Sequence, residues 1–439
     1  MKFNKWTIGL AAVGAVSLAS AAKADEKMSA IQTALSSTTI SGYVDTSMQW
    51  NLGTGNGIQA PVTFQDASKA DGFNLNVVQL SIAKPLDESE WASGYRVDLW
   101  FGPDANTLGS QSVYSTGASD LAIRQAYVAL RTPVGNGIDW KVGVFDTIIG
   151  YESLESGNNP NMTRSYGFTM EPTTHTGLLA SYRVNDYFSF SAGVANTFGP
   201  SINERSQGPY AGGLSYYPTT SEQYKTWMAS VALTAPDDWG WVAGSTLYAG
   251  VINGFSATTI DRQTHYYVGG TMATPVAGLK VGAAFDYLNA HNFPNNGDDL
   301  WSVAGYGSYQ ATEKLSFHGR AELLKGENPG ADTRLFGLTG TIQYDLWENV
   351  ISRLELRWDR CLQGPNDKKV FGGQTYADGS YPTDGFDSVS ASGDGYQYGF
   401  EDFHTDSTAI GDVFGFEGAP ASGAKQNAFL VALQFIYKF

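Results

Sequence analysis

The amino-acid sequence predicts an all-β chain folded as a transmembrane antiparallel β-barrel of about 16 strands, with short periplasmic turns and long extracellular loops. Three observations point there. The final stretch sets Phe429, Val431, Leu433, Phe435, Tyr437 and Phe439 on one face and Leu430, Ala432, Gln434, Ile436 and Lys438 on the other, the period of two that marks a strand. An apolar face ending in alternate aromatics, opposite a face carrying Gln and Lys, suits lipid on one side and water on the other. Segments with the same grammar recur along the chain, each about ten residues, the length a tilted strand needs to cross a bilayer. The connections between them alternate short and long, a rhythm that a soluble sandwich does not keep.

Composition agrees. Charged residues make up 16% of the chain, against about 25% in ordinary soluble proteins. Aromatics reach 13% and glycines number 51, which suits a greasy outside and tight turns. The net charge of -16 speaks against a nucleic-acid partner. A single cysteine, Cys361, excludes an internal disulfide, a thiolate metal cluster and covalent haem; no metal site and no cofactor are expected. Residues 1–24 read as a secretory signal peptide: Lys2 and Lys5, an apolar run over 8–18, then small residues with Ala-x-Ala sites ending at Ala21 or at Ala24. That run is too short to anchor the chain, and no later window approaches ~18 uncharged apolar residues. Residues 25–439 are then expected to form one barrel domain destined for an outer membrane.

Taken in order, residues 39–51 set Ile40, Val44, Met48 and Trp50 against Ser41, Tyr43, Asp45, Ser47 and Gln49. Residues 73–83 return to a short turn around Pro85 and Asp87. Tyr95, Val97, Leu99 and Phe101 alternate with Gly94, Arg96, Asp98 and Trp100. Residues 121–131 lead into a tight turn at 134–137, after which Ile138, Trp140, Val142 and Val144 face away from Asp139, Lys141 and Gly143. Residues 178–184 and 188–194 form a hairpin through Asn185 and Asp186. Residues 227–233, a turn at 235–238, and strands at 241–251, 263–273, 279–288, 301–310, 315–324, 334–346 and 350–359 precede the last one. The long connections, among them 52–71, 200–223 and 362–425, should face outward.

Lumen-facing positions read as polar. Arg353, Glu355, Arg357 and Asp359 share one face of their strand, and Ser316, His318, Arg320 and Glu322 share one face of theirs. Lys280 and Asp286 point the same way from a neighbouring strand, as do Arg96 and Asp98 from an early one. An Arg or Lys facing lipid at mid-depth costs about 2–4 kcal/mol, so these charges belong inside. They would form a charged wall that selects solutes, or a salt-bridge lattice that stiffens the interior, and the two are compatible.

Residues 147–175, between the fifth and sixth strands, carry Glu152, Glu155, Arg164 and Glu171, and connections this long are usually functional. The arrangement resembles general diffusion porins, in which the loop at this position folds inward and its carboxylates face arginines of the wall. The run Ile123-Arg124-Gln125-Ala126-Tyr127-Val128-Ala129-Leu130 is similar to their fourth strand, which carries such an arginine. Arg124 is the matching residue, although strict alternation with Val128 and Leu130 leaves its facing open.

A second resemblance covers nearly the whole mature chain. The strings Ser41-Gly42-Tyr43-Val44-Asp45-Thr46, Gly94-Tyr95-Arg96-Val97-Asp98-Leu99, Phe101-Gly102-Pro103-Asp104-Ala105-Asn106 and Glu155-Ser156-Gly157-Asn158-Asn159-Pro160 are similar to the OmpL-like β-barrel porin family. The resemblance implies an outer-membrane porin giving passive diffusion of small hydrophilic solutes or ions through a charged, loop-narrowed lumen. Partners would be membrane lipid, lipopolysaccharide and solutes, with a homotrimer left open. The contrasting expectation is a plugged, non-conducting barrel that works as a receptor surface through its outer loops. Five histidines stand beside no recognisable nucleophile motif, so an enzyme is not expected. The acidic segment 362–425 reads as a solvated extracellular loop.

Overall fold

A computed structural model describes residues 31–32, 37–54, 69, 71–108, 110, 120–203, 205, 224–255, 262–291, 298–327, 332–364, 368–371 and 425–439. The expected signal peptide and most of the acidic loop at 362–425 lie outside the described residues. Sixteen strands form the wall. They are β1 (Thr39–Asn51), β2 (Gly72–Lys84), β3 (Ser93–Phe101), β4 (Leu121–Thr132), β5 (Ile138–Asp146), β6 (Thr174–Arg183), β7 (Phe188–Ala195) and β8 (Thr226–Thr234). The remainder are β9 (Thr246–Phe255), β10 (Arg262–Ala273), β11 (Leu279–His291), β12 (Asp298–Gln310), β13 (Leu315–Glu327), β14 (Thr333–Trp347), β15 (Val350–Gln363) and β16 (Asn427–Lys438). Each strand pairs antiparallel with the next, and β16 returns to β1 through the register Leu430↔Asn51 to Lys438↔Tyr43. A two-residue strand, Ile31–Gln32, adds to the start of β1.

The seam is closed by the last residue. Phe439 exchanges two backbone hydrogen bonds of 2.9 Å with Gly42, and its ring lies where a Cβ on Gly42 would sit. The terminal aromatic and an early glycine thus lock the two chain ends together, and no sheet edge is left unpaired at this joint.

Period-two burial runs along the strands. On β16, Ala428, Leu430, Ala432, Gln434 and Ile436 are buried while Phe429 and Tyr437 are exposed. Exposed aromatics gather at both rims: Trp50, Phe73, Phe101, Trp227, Tyr266 and Phe429 at the long-loop end, and Trp91, Tyr187, Trp239, Trp241, Trp347 and Tyr437 at the short-turn end. Amphipathic rings belong at the two faces of a bilayer.

The structure departs from the sequence expectation in several places. The ninth strand does not begin at 241: Gly240–Val242 is a 3-10 turn, allowed by positive φ at Gly240 and Gly244, and the strand starts at Thr246. The segment 147–175 gives its last two residues to β6, where Thr174 and His175 pair with Asp146 and Phe145. The inner wall is also not uniformly polar. Leu179, Met228 and Ile252 on β6, β8 and β9, and Leu288, Leu300, Leu324 and Leu335 on β11 to β14, form one buried cluster with Phe145, Ile148, Ile149 and Met170. A 16-stranded barrel is wide enough to leave an aqueous lumen, and here apolar side chains take up part of that width.

One glycine is fixed by geometry. Gly143 has φ +132, and a Cβ there would run into the Ala126 carbonyl across the β4–β5 ladder. Gly143→Ala is expected to cost about 1–3 kcal/mol, seen as a lower temperature for the shift between folded and unfolded electrophoretic bands.

Candidate functional site: the inner wall and the loop across it

The connection between β5 and β6 does not stay at the rim. It enters the barrel, and nearly every residue from Thr147 to Thr173 is buried, with Glu155, Gly157 and Asn158 half-buried. Its deepest point lies at the far end of the wall, where a Cβ on Gly157 would come within 3.2 Å of the Lys438 side chain. From there the loop climbs β15, and four successive inward residues of that strand hold it. Arg353 donates to the carbonyls of Ser156 (2.9 Å) and Asn159 (2.6 Å). Glu355 accepts from the amides of Met162 (2.5 Å) and Thr163 (2.9 Å) and from the hydroxyls of Thr163 (2.6 Å) and Thr341 (2.7 Å). Arg357 donates to the carbonyl of Arg164 at 2.7 Å, and Asp359 accepts from the Tyr166 hydroxyl at 2.6 Å. Alternate strand residues stand about 6.6 Å apart, and the loop meets each in turn as a second rail.

Arg320 on β13 extends this ladder sideways. Its guanidinium donates to Glu152 at 2.8 Å, Glu322 at 3.0 Å, the Thr163 carbonyl at 2.7 Å and the Arg164 carbonyl at 3.0 Å. Glu322 in turn accepts from the Tyr166 amide at 2.6 Å. Glu152, Arg320, Glu322, Arg353, Glu355, Arg357 and Asp359 are all buried. Arg164, from the loop, donates back to the carbonyls of Met162 and Leu154, both at 2.8 Å. At the base of the loop the Gln434 amide donates to Ser156 (2.7 Å) and Asp45 (2.9 Å).

A second group of charges stands on the opposite side of the loop. Asp98 accepts from Arg96 and Arg124, both at 2.8 Å, and Arg124 also reaches Asp146 at 2.8 Å. Glu155 lies 3.4 Å from each arginine. The facing of Arg124 is settled by a register shift: Asp98 pairs with Gln125 but Leu99 pairs with Ile123. A β-bulge places two consecutive side chains on one face, and both Arg124 and Gln125 are buried inside. The side chains of Arg96 and Asp146 retain 35% and 31% of their exposure, against 2% for Arg124 and none for Arg320 and Arg357. Tyr127 and Lys141 are half-buried beside them, with the ammonium 4.9 Å from the ring centre. These groups are enclosed by the wall yet reached by water.

The remaining predicted residues divide. Lys280 lies half-buried below the loop, away from both groups. Asp286 is buried and bonded to His265 at 2.9 Å, against the short helix α1 (Tyr166–Met170) of the loop. Glu171 joins Asp286 in a carboxyl–carboxyl hydrogen bond, and burial followed by the Asp286 charge pushes its carboxyl well above the usual range. Alternation had placed Lys141 inward, but Tyr127, Asp146 and Thr163 gave no signal of a role. Their importance depends on where a loop from elsewhere in the chain comes to rest. Of the histidines, His318 has both ring nitrogens bonded to serines, Ser308 at 2.7 Å and Ser316 at 2.9 Å, so no carboxylate orients it as a catalytic base.

Comparisons with known proteins agree with this architecture. A family-wide sequence profile described as "Putative beta-barrel porin-2, OmpL-like" matches residues 37–385. No curated protein is matched by sequence. Among solved structures, the chain is similar to OmpT of Vibrio cholerae, an outer membrane protein in trimer form, with a TM-score of 0.52 and 11% identity over 92% of this chain and 99% of that one. It is similar to an anion-selective porin from Comamonas acidovorans, with a TM-score of 0.50 and 10% identity over 92% and 99%. OprB of Pseudomonas putida gives a TM-score of 0.50 and 11% identity over 91% and 93%.

Proposed function

The chain belongs to the OmpL-like beta-barrel porin-2 family, and from that premise we propose that this outer-membrane porin passes small hydrophilic solutes or ions by diffusion, through a passage that the loop at 147–173 confines to the β3–β5 side. The observation that carries the reading is the contrast in exposure across the loop. Arg320, Arg353, Glu355 and Arg357 are consumed in holding it, whereas Arg96, Asp146, Glu155, Lys141 and Tyr127 face water. Charges of both signs along that passage orient dipolar solutes. In this reading the wall arginines on β13 and β15 act as fasteners, and selectivity rests with Arg96, Lys141, Asp146 and Glu155. No enzymatic step is involved. Export by a signal removed at Ala21 or Ala24 belongs to the proposal, and N-terminal sequencing of the membrane-inserted protein tests it. Association into a homotrimer, the form of the similar Vibrio protein, is part of it too.

Single-channel recording of the refolded protein in a planar bilayer under a salt gradient is the test. Step-like conductance is expected, and Lys141→Glu is expected to move the reversal potential toward cation preference. Unaltered selectivity in that variant would remove Lys141 from the passage. One observation favours a second reading: the loop is buried along almost its whole length, as a plug would be. A folded barrel that never conducts would establish that plugged form and shift attention to the outer loops.

A further inference from the structure

We propose that Glu171 carries a proton that it donates to Asp286 and so forms a latch, closed while the proton is present, that fastens the stem of the loop to the barrel wall and lets go in alkali. The proposal rests on the reading of residues 147–173 as a loop seated in the lumen. Glu171 lies at the end of the loop, one residue past α1, and Asp286 projects from β11; both are buried, at 4% and 2% exposure. Their carboxyl groups are hydrogen-bonded to each other, and a carboxyl donates such a bond only when it carries a proton. The other Asp286 contacts leave no room for a different arrangement. His265 Nε2 takes up one oxygen at 2.9 Å, and a Cβ on Gly167 would run into the other. Gly150, with φ +112, is pressed in the same way against the Glu171 carboxylate, so two loop glycines let the backbone close over the pair.

Apart from His265, which already bonds Asp286 at 2.9 Å, the described residues place no cation directly against the pair. Facing the pair are His265 and Tyr267 from β10 and Glu152 from the loop, with Tyr248 from β9 and Tyr151 from the loop beside Tyr267 and Tyr306 from β12 stacked on Tyr151. The charges that act on Glu171 are both acidic, Asp286 and Glu152. The cation beyond them, Arg320, is saturated by Glu152, Glu322 and loop carbonyls. The burial that raises the Glu171 carboxyl works in the same direction. Below its raised pKa the contact is intact; as pH rises through that value the proton leaves, two buried like charges meet, and the loop stem is pushed from the wall. A cavity of about 20 Å³ lined by Asp146, Glu152 and Glu171, room for about one water, lies between the half-exposed Asp146 and the pair.

Two readouts on the refolded full-length barrel test this. Infrared spectroscopy should find a protonated-carboxyl carbonyl band at neutral pH that titrates away in alkali and is missing from Glu171→Gln. Trypsin cleavage after Arg164, corrected for the protease's own pH dependence, should rise about tenfold per pH unit across the transition, the slope of a one-proton equilibrium. In Glu171→Gln, where the amide donates permanently to Asp286, cleavage should stay low at every pH. A band that persists in Glu171→Gln, or parental cleavage that does not change with pH, would overturn the latch. Should Glu171→Gln fail to show the folded electrophoretic band, Asp286→Asn takes its place, with the same loss of pH dependence expected. Neither readout needs the barrel to conduct, so a silent barrel with a titrating band would overturn the diffusion reading and leave the latch standing.

Discussion

An Arg320→Ala barrel is expected to conduct in larger and noisier steps than the parent and to be cut by trypsin after Arg164, a bond the parent protects. Arg320 lies between two carboxylates and two loop carbonyls with its side chain fully buried. The complete lattice contributes little net stability, because desolvation offsets most of its attraction, but removing one partner leaves the others buried and unpaired at about 3–5 kcal/mol. In Arg320→Ala, Glu152 loses its cation and Glu322 keeps only Arg357 at 3.3 Å, while the Ser165 and Tyr166 amides still point at them. Release of the loop relieves that cost, since the strands themselves are held by ladder hydrogen bonds that Arg320 does not touch. A loss of this size shifts the docked-to-released ratio by about two to four powers of ten. Retention of the folded electrophoretic band would assign the effect to the loop, and unchanged steps with intact protease resistance would show that Arg320 is not a fastener.

Glu355→Gln should release the middle of the loop with nearly as large an effect. The Glu355 carboxylate receives four donors, two of them consecutive loop amides. An amide side chain has one oxygen, so its NH2 is driven against at least one donor, and a hydrogen bond to a charged group is worth about 1.5–3 kcal/mol. Glu355→Asp keeps the charge and is expected to restore part of the protection after Arg164. Because Thr163 touches both Glu355 and Arg320, the two substitutions should not add: a double-mutant cycle should give an interaction of about 0.5–3 kcal/mol. Strict additivity would mean that the two anchors hold the loop independently.

The wall was legible from local pattern alone. Period-two alternation placed Arg353, Glu355, Arg357 and Asp359 inside β15 and located the inserted loop between the fifth and sixth strands, because lipid on one side leaves each side chain a single acceptable face. Arg124 resisted for the same reason: a bulge adds one residue to β4, and no alternation rule counts across it. The apolar inner patch at Leu179, Met228 and Ile252 was invisible because a strand with apolar residues on both faces gives no alternation to read. What each charge does was also out of reach. Arg96 and Arg357 look alike in sequence, and they differ only because the loop lies against one and leaves the other wet.

The rungs between the loop and β15 join residues 192 to 197 positions apart. Closing so long a span comes late, after the local hairpins have formed. The loop has therefore left β5 long before its seat exists, and until β13 to β15 arrive it carries backbone carbonyls and amides with no partners. Assembly of this barrel must end with two events that depend on the same C-terminal strands, the pairing of Phe439 with Gly42 and the seating of the loop. A chain stalled before β15 would lack both, leaving an open seam and an unseated loop for the quality-control machinery of the envelope to act on.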